Sequence, residues 1–228
     1  MTAIITESAP SFVDVTTPLP TAPSLVDIER RQKEIDEKLL SACKDNDFST
    51  GLKAINQGAN VNYIVEGASC LMWATARGHL SIVSLLIARG ADVNLSSGAA
   101  LMNAANYGRE EIIKILLDSG ASIDAVLDNN MSTPLCFAAS RNHTKIVKIL
   151  VERGANVNLN TSKNTTPLMH AVSHQNFEMV ETLLKAGAQL DVVNHQKKSV
   201  WTITYDYTGT TGRRAAKRMC DLLRKYKS

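Results

Sequence analysis

Aromatic side chains are scarce, 5% of 228 residues, and the four cysteines (Cys43, Cys70, Cys136 and Cys220) never recur at a short paired spacing. A core with so few rings has to close through small and aliphatic residues, which favours close helix packing. Scattered cysteines exclude a disulfide framework and fit free thiols in a reducing, intracellular compartment, the cytoplasm first and the nucleus second. No apolar stretch has the length of a bilayer span, so no membrane span is expected. The opening residues predict neither a secretory leader nor a mitochondrial presequence, since Glu7 and Asp14 precede the first arginine, Arg30.

Catalytic patterns are lacking as well. No nucleophile, base and orienting acid fall at a recognisable spacing, and there is no phosphate-cradling glycine loop or dinucleotide fingerprint. His170 and His174 lie four apart on one expected helix, a spacing that can chelate a metal, but no Glu stands between them and no third ligand follows in register. Packing accounts for His170 better. The expectation is therefore no enzyme, no cofactor and no metal.

The net charge of +3 is too small to imply nucleic acid, but it is unevenly spread. Residues 197–228 carry nine basic against two acidic side chains, which leaves the rest of the chain at −4. Two readings of that basic end stay open: an anion-binding patch, or a solvated cap whose cations complement a helix C-terminus.

Residues 1–23 hold four of the six prolines among Ser and Thr, which predicts a flexible tail. Its small apolar clusters, Ile4-Ile5 and Phe12-Val13 with Val15, offer a docking alternative. Ser24 with Asp27 has the form of a capping box, and Leu25, Ile28, Ile35, Leu39 and Ala42 then recur at helical spacing, predicting a helix of about five turns with residues 24–35 as a lead-in.

Beyond it one unit recurs. Gly58-Ala-Asn-Val-Asn, Gly90-Ala-Asp-Val-Asn, Gly120-Ala-Ser-Ile-Asp, Gly154-Ala-Asn-Val-Asn and Gly187-Ala-Gln-Leu-Asp stand 32, 30, 34 and 33 residues apart. Pro134 and Pro167 suit a first helical turn, the Ala138-Ala139 pair allows close helix approach, and a closing glycine can take the left-handed cap. Leu116 with Leu117, and Ile149 with Leu150, are expected to form the buried stripe between units.

With Thr133-Pro134-Leu135, Thr166-Pro167-Leu168 and Gly78-His79, these endings resemble the ankyrin-repeat family. The resemblance implies an all-α ankyrin-repeat solenoid, helix-turn-helix units joined by β-hairpin-like fingers, about six units across residues 36–228 with the first and last as caps. The units divide as 36–62, 63–94, 95–124, 125–158, 159–191 and 192–228. The family's His after Leu is replaced by Met72, Met102, Cys136 and Met169, so a soft apolar contact is expected in place of a polar link.

The helical body keeps one length, 20 residues from the Pro position to the next closing glycine, while the connection from glycine to Pro position varies as 12, 10, 14, 13 and 13. All the slack therefore lies in the fingers, and the short one, Leu95 to Gly98, is expected to notch their row, either as a functional feature or as a neutral loop deletion.

The resemblance places partner contacts on the concave face of first helices and fingertips. The groove position of successive units holds Asp45, Arg77, Tyr107, Arg141, His174 and Tyr207, and the fingertips hold Ile64, Val65, Glu66, Asn129, Asn130, Met131, Lys163, Asn164, His195, Lys197 and Lys198. Arg and Tyr are enriched at binding hot spots, so the set suits an acidic and apolar peptide or helix of a protein partner, with nucleic acid not expected. Two functions follow: a scaffold or adaptor that holds a partner in the groove, or a structural subunit anchored by the tail and the basic terminal helix.

Overall fold

The computed structural model describes residues 24–126, 132–206 and 213–227. The expected tail, the fingertip residues Asn129, Asn130 and Met131, and the groove residue Tyr207 lie outside them.

Twelve α-helices, among the described residues, are stacked as six pairs. The first members are α1 (Leu25–Asp45), α3 (Cys70–Arg77), α5 (Leu95–Asn106), α7 (Pro134–Ser140), α9 (Pro167–Ser173) and α11 (Val200–Asp206). Each is followed by its partner: α2 (Phe48–Asn56), α4 (Leu80–Ala88), α6 (Glu110–Asp118), α8 (Thr144–Glu152), α10 (Phe177–Lys185) and α12 (Arg213–Arg224). First helices pack on first helices and second on second, which makes an all-α solenoid of six units. Ala74, Ala104, Ala138 and Ala171 are wholly buried where neighbouring first helices meet, and Leu71, Leu101, Leu135 and Leu168 lie beneath them. Leu116 and Leu150 are buried in the second-helix layer as expected, whereas Leu117 and Ile149 are only half-buried at its edge.

The lead-in helix and the first helix of unit one are a single element, with no break between residues 35 and 36. Ser24 caps it, its hydroxyl oxygen accepting from the Asp27 N–H. The expected apolar face starts later than its periodicity suggests. Leu25 (78% exposed) and Ile28 (50%) are uncovered by any described residue, and burial begins only at Ile35, Asp36 and Leu39. Helical spacing reports a stripe, but whether the stripe is covered depends on where the stack begins.

The five closing glycines all adopt positive φ, and so do Asn46, Gly78, Gly108, Asn142 and Gln175 between the two helices of units one to five. Unit one thus keeps the turn although it lacks the glycine, because Asn tolerates the left-handed region. At Gly78 a second constraint is added: a Cβ there would meet the Arg109 side chain at 2.9 Å.

A ladder of Asn and Asp side chains ties the units together. Asp36 Oδ1 accepts the Asn60 N–H at 2.7 Å, Asn62 accepts from Asp92, Asn94 from Ser122, Asp124 from Asn156 and Asn158 from Gln189. Asn94 and Asn158 also donate through Nδ2 to the carbonyls of Gly120 and Gly187. The last residue of each of the first four Gly-Ala-X-X-Asn/Asp endings is therefore a bracket for the next unit. In unit one its place is taken by a helix residue, buried Asp36, helped by Gln32 donating to the Gly58 carbonyl.

A second series caps helix ends. His79 Nε2 lies 3.1 Å from the Lys44 carbonyl, Arg109 donates to that of Ala76, and His143 Nε2 lies 3.2 Å from that of Asn106. Each satisfies a carbonyl freed at the C-terminal end of the preceding first helix, where positive charge is also favoured.

The fingers differ from the expected row of hairpins. Only 64–69 is a two-stranded hairpin among the described residues, β1 (Ile64–Val65) pairing antiparallel with β2 (Ala68–Ser69) through Glu66 and Gly67, both at positive φ, as a type I′ two-residue hairpin requires. The short connection at Leu95 to Gly98 is no hairpin at all. Ser96, Ser97 and Gly98 take left-handed backbone in succession and lead straight into the rest of α5. Ten residues from glycine to Pro position leave too little chain to go out and return.

The His-replacing residues keep more polarity than expected. Met102 and Met169 are buried, but Cys136 Sγ donates to the Leu159 carbonyl at 3.4 Å, and Met72 Sδ accepts from the Ser69 N–H at 3.5 Å. At the far end α12 buries Ala216, Met219, Cys220 and Leu223, with Tyr226 half-buried beyond them, and turns its cations outward.

Candidate functional site: the first-helix face and its fingers

The surface that combines first helices with fingers is seen most completely at units four and five, where a cleft of about 300 Å³ is lined by Phe137, Ser140 and His170 on one side and by Thr161, Lys163 and Thr165 on the other. Phe137 and His170 occupy one position of the unit, and Trp73 and Asn103 hold it in units two and three. Burial, with His174 adding a smaller effect, pulls the His170 imidazole below its ordinary range. His170 is thus a neutral, half-buried wall of the cleft, and among the described residues no three His, Cys, Asp or Glu side chains converge on a metal position.

The expected groove residues are brought onto one surface but are not equivalent. Arg77 and Tyr107 are exposed, Tyr107 by 52%. Arg141 is tethered, its Nε donating to Asn106 Oδ1 at 2.8 Å, and His174 Nε2 lies 2.8 Å from the Ser140 carbonyl. Asp45 accepts from its own helix, from Ser41 Oγ. Arg141 and His174 therefore bridge units as well as face outward, a double duty that position in the repeat does not reveal.

The fingertips divide in the same way. Ile64 and Glu66 are exposed at the hairpin, with Val65 half-buried. The two later fingers are tied to each other: His195 contacts the Lys163 carbonyl through both its backbone N–H (3.0 Å) and its ring Nδ1 (3.2 Å), and Asn164 Nδ2 donates to the Val193 carbonyl. Lys197 is exposed at positive φ, while Lys198 pairs with Asp206 at 2.7 Å. Lys163 and Lys197 offer free ends on a braced pair of loops, whereas Asn164 is engaged at both ends of its amide, its Oδ1 accepting from Asn160, and Lys198 is held within its own unit.

Two residues outside the expected set belong to this surface. Lys44 Nζ sits 4.6 Å from the Trp73 ring centre, and the Arg77 guanidinium lies 5.9 Å from it. Lys44 was legible as the neighbour of Asp45. Trp73 was hidden because its position reads as helix packing, and one of only two tryptophans, half-buried on an otherwise polar face, is the signal that marks it.

A family model described as ankyrin repeats (three copies) matches residues 39–126 and again 101–194, more than half of the chain. Among curated proteins, the chain is 34% identical over 112 residues to the mouse "Ankyrin repeat and SAM domain-containing protein 6", 46% of this chain and 12% of that protein. It is 32% identical to the Caenorhabditis elegans "E3 ubiquitin-protein ligase hecd-1" over 48% of this chain and 4% of the ligase. It is 33% identical to the rice "Probable E3 ubiquitin-protein ligase XBOS32" over 47% and 23% respectively. The chain thus spans less than a quarter of the length of each of these relatives. Ankyrin repeats are a non-catalytic fold that mediates protein–protein interaction. With the repeating unit, its closing turns and the family match agreeing over the same residues, the chain belongs to the ankyrin-repeat family.

Proposed function

We propose that this protein is a non-catalytic scaffold or adaptor of the cytoplasm that holds a protein partner along its first helices and fingers. The partner segment is extended or helical and carries acidic and apolar residues. The observation that carries this reading is the exposure of Arg77 and Tyr107 in successive units, side chains of the types that dominate binding energy when a partner covers them. Lys163, Ile64 and Glu66 would extend the contact to the fingers. A pull-down from cell extract with the Arg77→Ala, Tyr107→Ala, Arg141→Ala triple variant tests it. Partners of the intact protein should be lost, and their retention would remove the groove from consideration.

A second reading, a structural subunit anchored by residues 1–23 and the basic terminal helix, is favoured by the uncovered Leu25, Val26 and Ile28 beside that tail and by exposed Arg213, Arg214 and Lys217 on α12. Deleting residues 1–23 in the same pull-down separates the two, because only this second reading predicts a loss.

A further inference from the structure

Three cations on the second-helix side of the solenoid are answered by acids across the unit boundary: Lys145 by Glu110, Arg153 by Asp118 and Lys148 by Glu178. On the groove side such pairing is missing where two cations crowd together. Lys44 and Arg77 approach the same indole, and neither has an ion pair among the described residues. Asp45, the nearest acid along the chain, accepts from Ser41 Oγ, and buried Asp36 accepts from the Asn60 N–H. Two like charges gathered at one ring without a counter-charge gain only the modest cation–π attraction and repel each other.

Resting on the groove reading above, we propose that Lys44, Trp73 and Arg77 form a subsite for an acidic side chain of the partner protein, one anionic group answering both cations at the edge of the indole. The guanidinium offers a paired N–H fork, Lys44 a point charge, and the ring a planar apolar wall that excludes water from the contact. The next unit favours passage of the partner chain beyond the subsite, because Leu95 to Gly98 turn tightly into α5 and raise no finger beside Asn103 and Tyr107. The partner residue that reaches Tyr107 can therefore be bulky and apolar. The segment has an acid at the first of these contacts and an aromatic or large aliphatic side chain at the second.

Random twelve-residue peptides displayed on phage and selected on the intact protein test this. The best binders are then synthesised with their acids kept, changed to the neutral amides, or replaced by phosphoserine. Binding is read from Trp73 fluorescence in a Trp201→Phe background, where it is the sole tryptophan. The expected result is a shared acidic position whose amide form binds at least tenfold more weakly, with the same loss in Lys44→Gln, Arg77→Gln at an unchanged melting temperature. A phosphoserine form that binds as well or better supports the same anion subsite and identifies phosphorylated chain as a source. Peptides that lose binding with Tyr107→Ala and Arg141→Ala but not with Lys44→Gln, Arg77→Gln would overturn the subsite while leaving the groove standing. Peptides indifferent to all four would overturn both. Displacement of the peptide by single-stranded oligonucleotide at equal affinity would overturn the assignment to an acidic protein segment.

Discussion

At Asp36 a carboxylate on a helix replaces the Asn or Asp that other units carry in a loop. It is buried and receives both the Asn60 N–H and the Gln32 amide. Removing the acceptor from this part-buried backbone donor costs about 1 kcal/mol. Asp36→Ala should lower unfolding stability by that amount in a urea titration, while Asp36→Asn, which keeps an acceptor, should recover most of it. His170 gives a pH prediction. Since burial holds its folded pKa below the ordinary value, the unfolded chain binds a proton that the folded chain refuses, and stability falls as pH drops through about 6.5 before levelling off below the folded value. The melting temperature should decline between pH 7.5 and 5.5, and less so in His170→Phe, the residue already used at this position in the unit before. His170 was legible as a packing residue, but the role of Asp36 was not. Asp36 belonged to a run of mixed charges that reads as a solvated face, and its partner lies 24 residues away.

Among the elements, helices were legible and connections were not. Helix positions follow from local signals such as Ser24, Thr133 with Pro134, and the closing glycines, each of which acts within a few residues. Finger conformation depends on how much chain is left between fixed ends. The count of ten residues revealed the shortening, but not that Ser96 and Ser97 would be forced into left-handed backbone. Each such residue costs about 1–2 kcal/mol. Ser97→Gly should therefore stabilise the protein by about 1 kcal/mol, measured by thermal melting. Gly98→Ala should destabilise it by more than about 1 kcal/mol, since its φ is positive and the new methyl would lie 2.7 Å from Ala125 Cβ. Of the groove, the exposed positions were legible from the repeat, whereas the bridging by Arg141 and His174 and the indole beneath Arg77 needed contacts between units.

Taken whole, the molecule has no centre. Each unit touches only its neighbours, so stability is the sum of unit and interface terms, and damage stays local. Leu101→Ala removes a wholly buried side chain in unit three and should cost about 2–5 kcal/mol, and Leu223→Ala should cost a similar amount at the last helix. Their hydrogen-exchange patterns should differ. The central change should loosen amides on both sides of unit three, while the terminal one should free α11 and α12 and leave α1 to α6 protected.

The ladder of Asn and Asp side chains also gives the stack a direction. Each rung is an acceptor held out by one unit toward the next, so the series opens with Asp36 and runs forward through Asn158. Asp191 occupies the next rung and is exposed, with no backbone donor upon it among the described residues. The two ends are thus chemically unlike: one is sealed by a helix residue, the other still carries an unused acceptor. A protein engineer lengthening this solenoid past α12 would find an acceptor already waiting at Asp191, and would have to invent one ahead of α1.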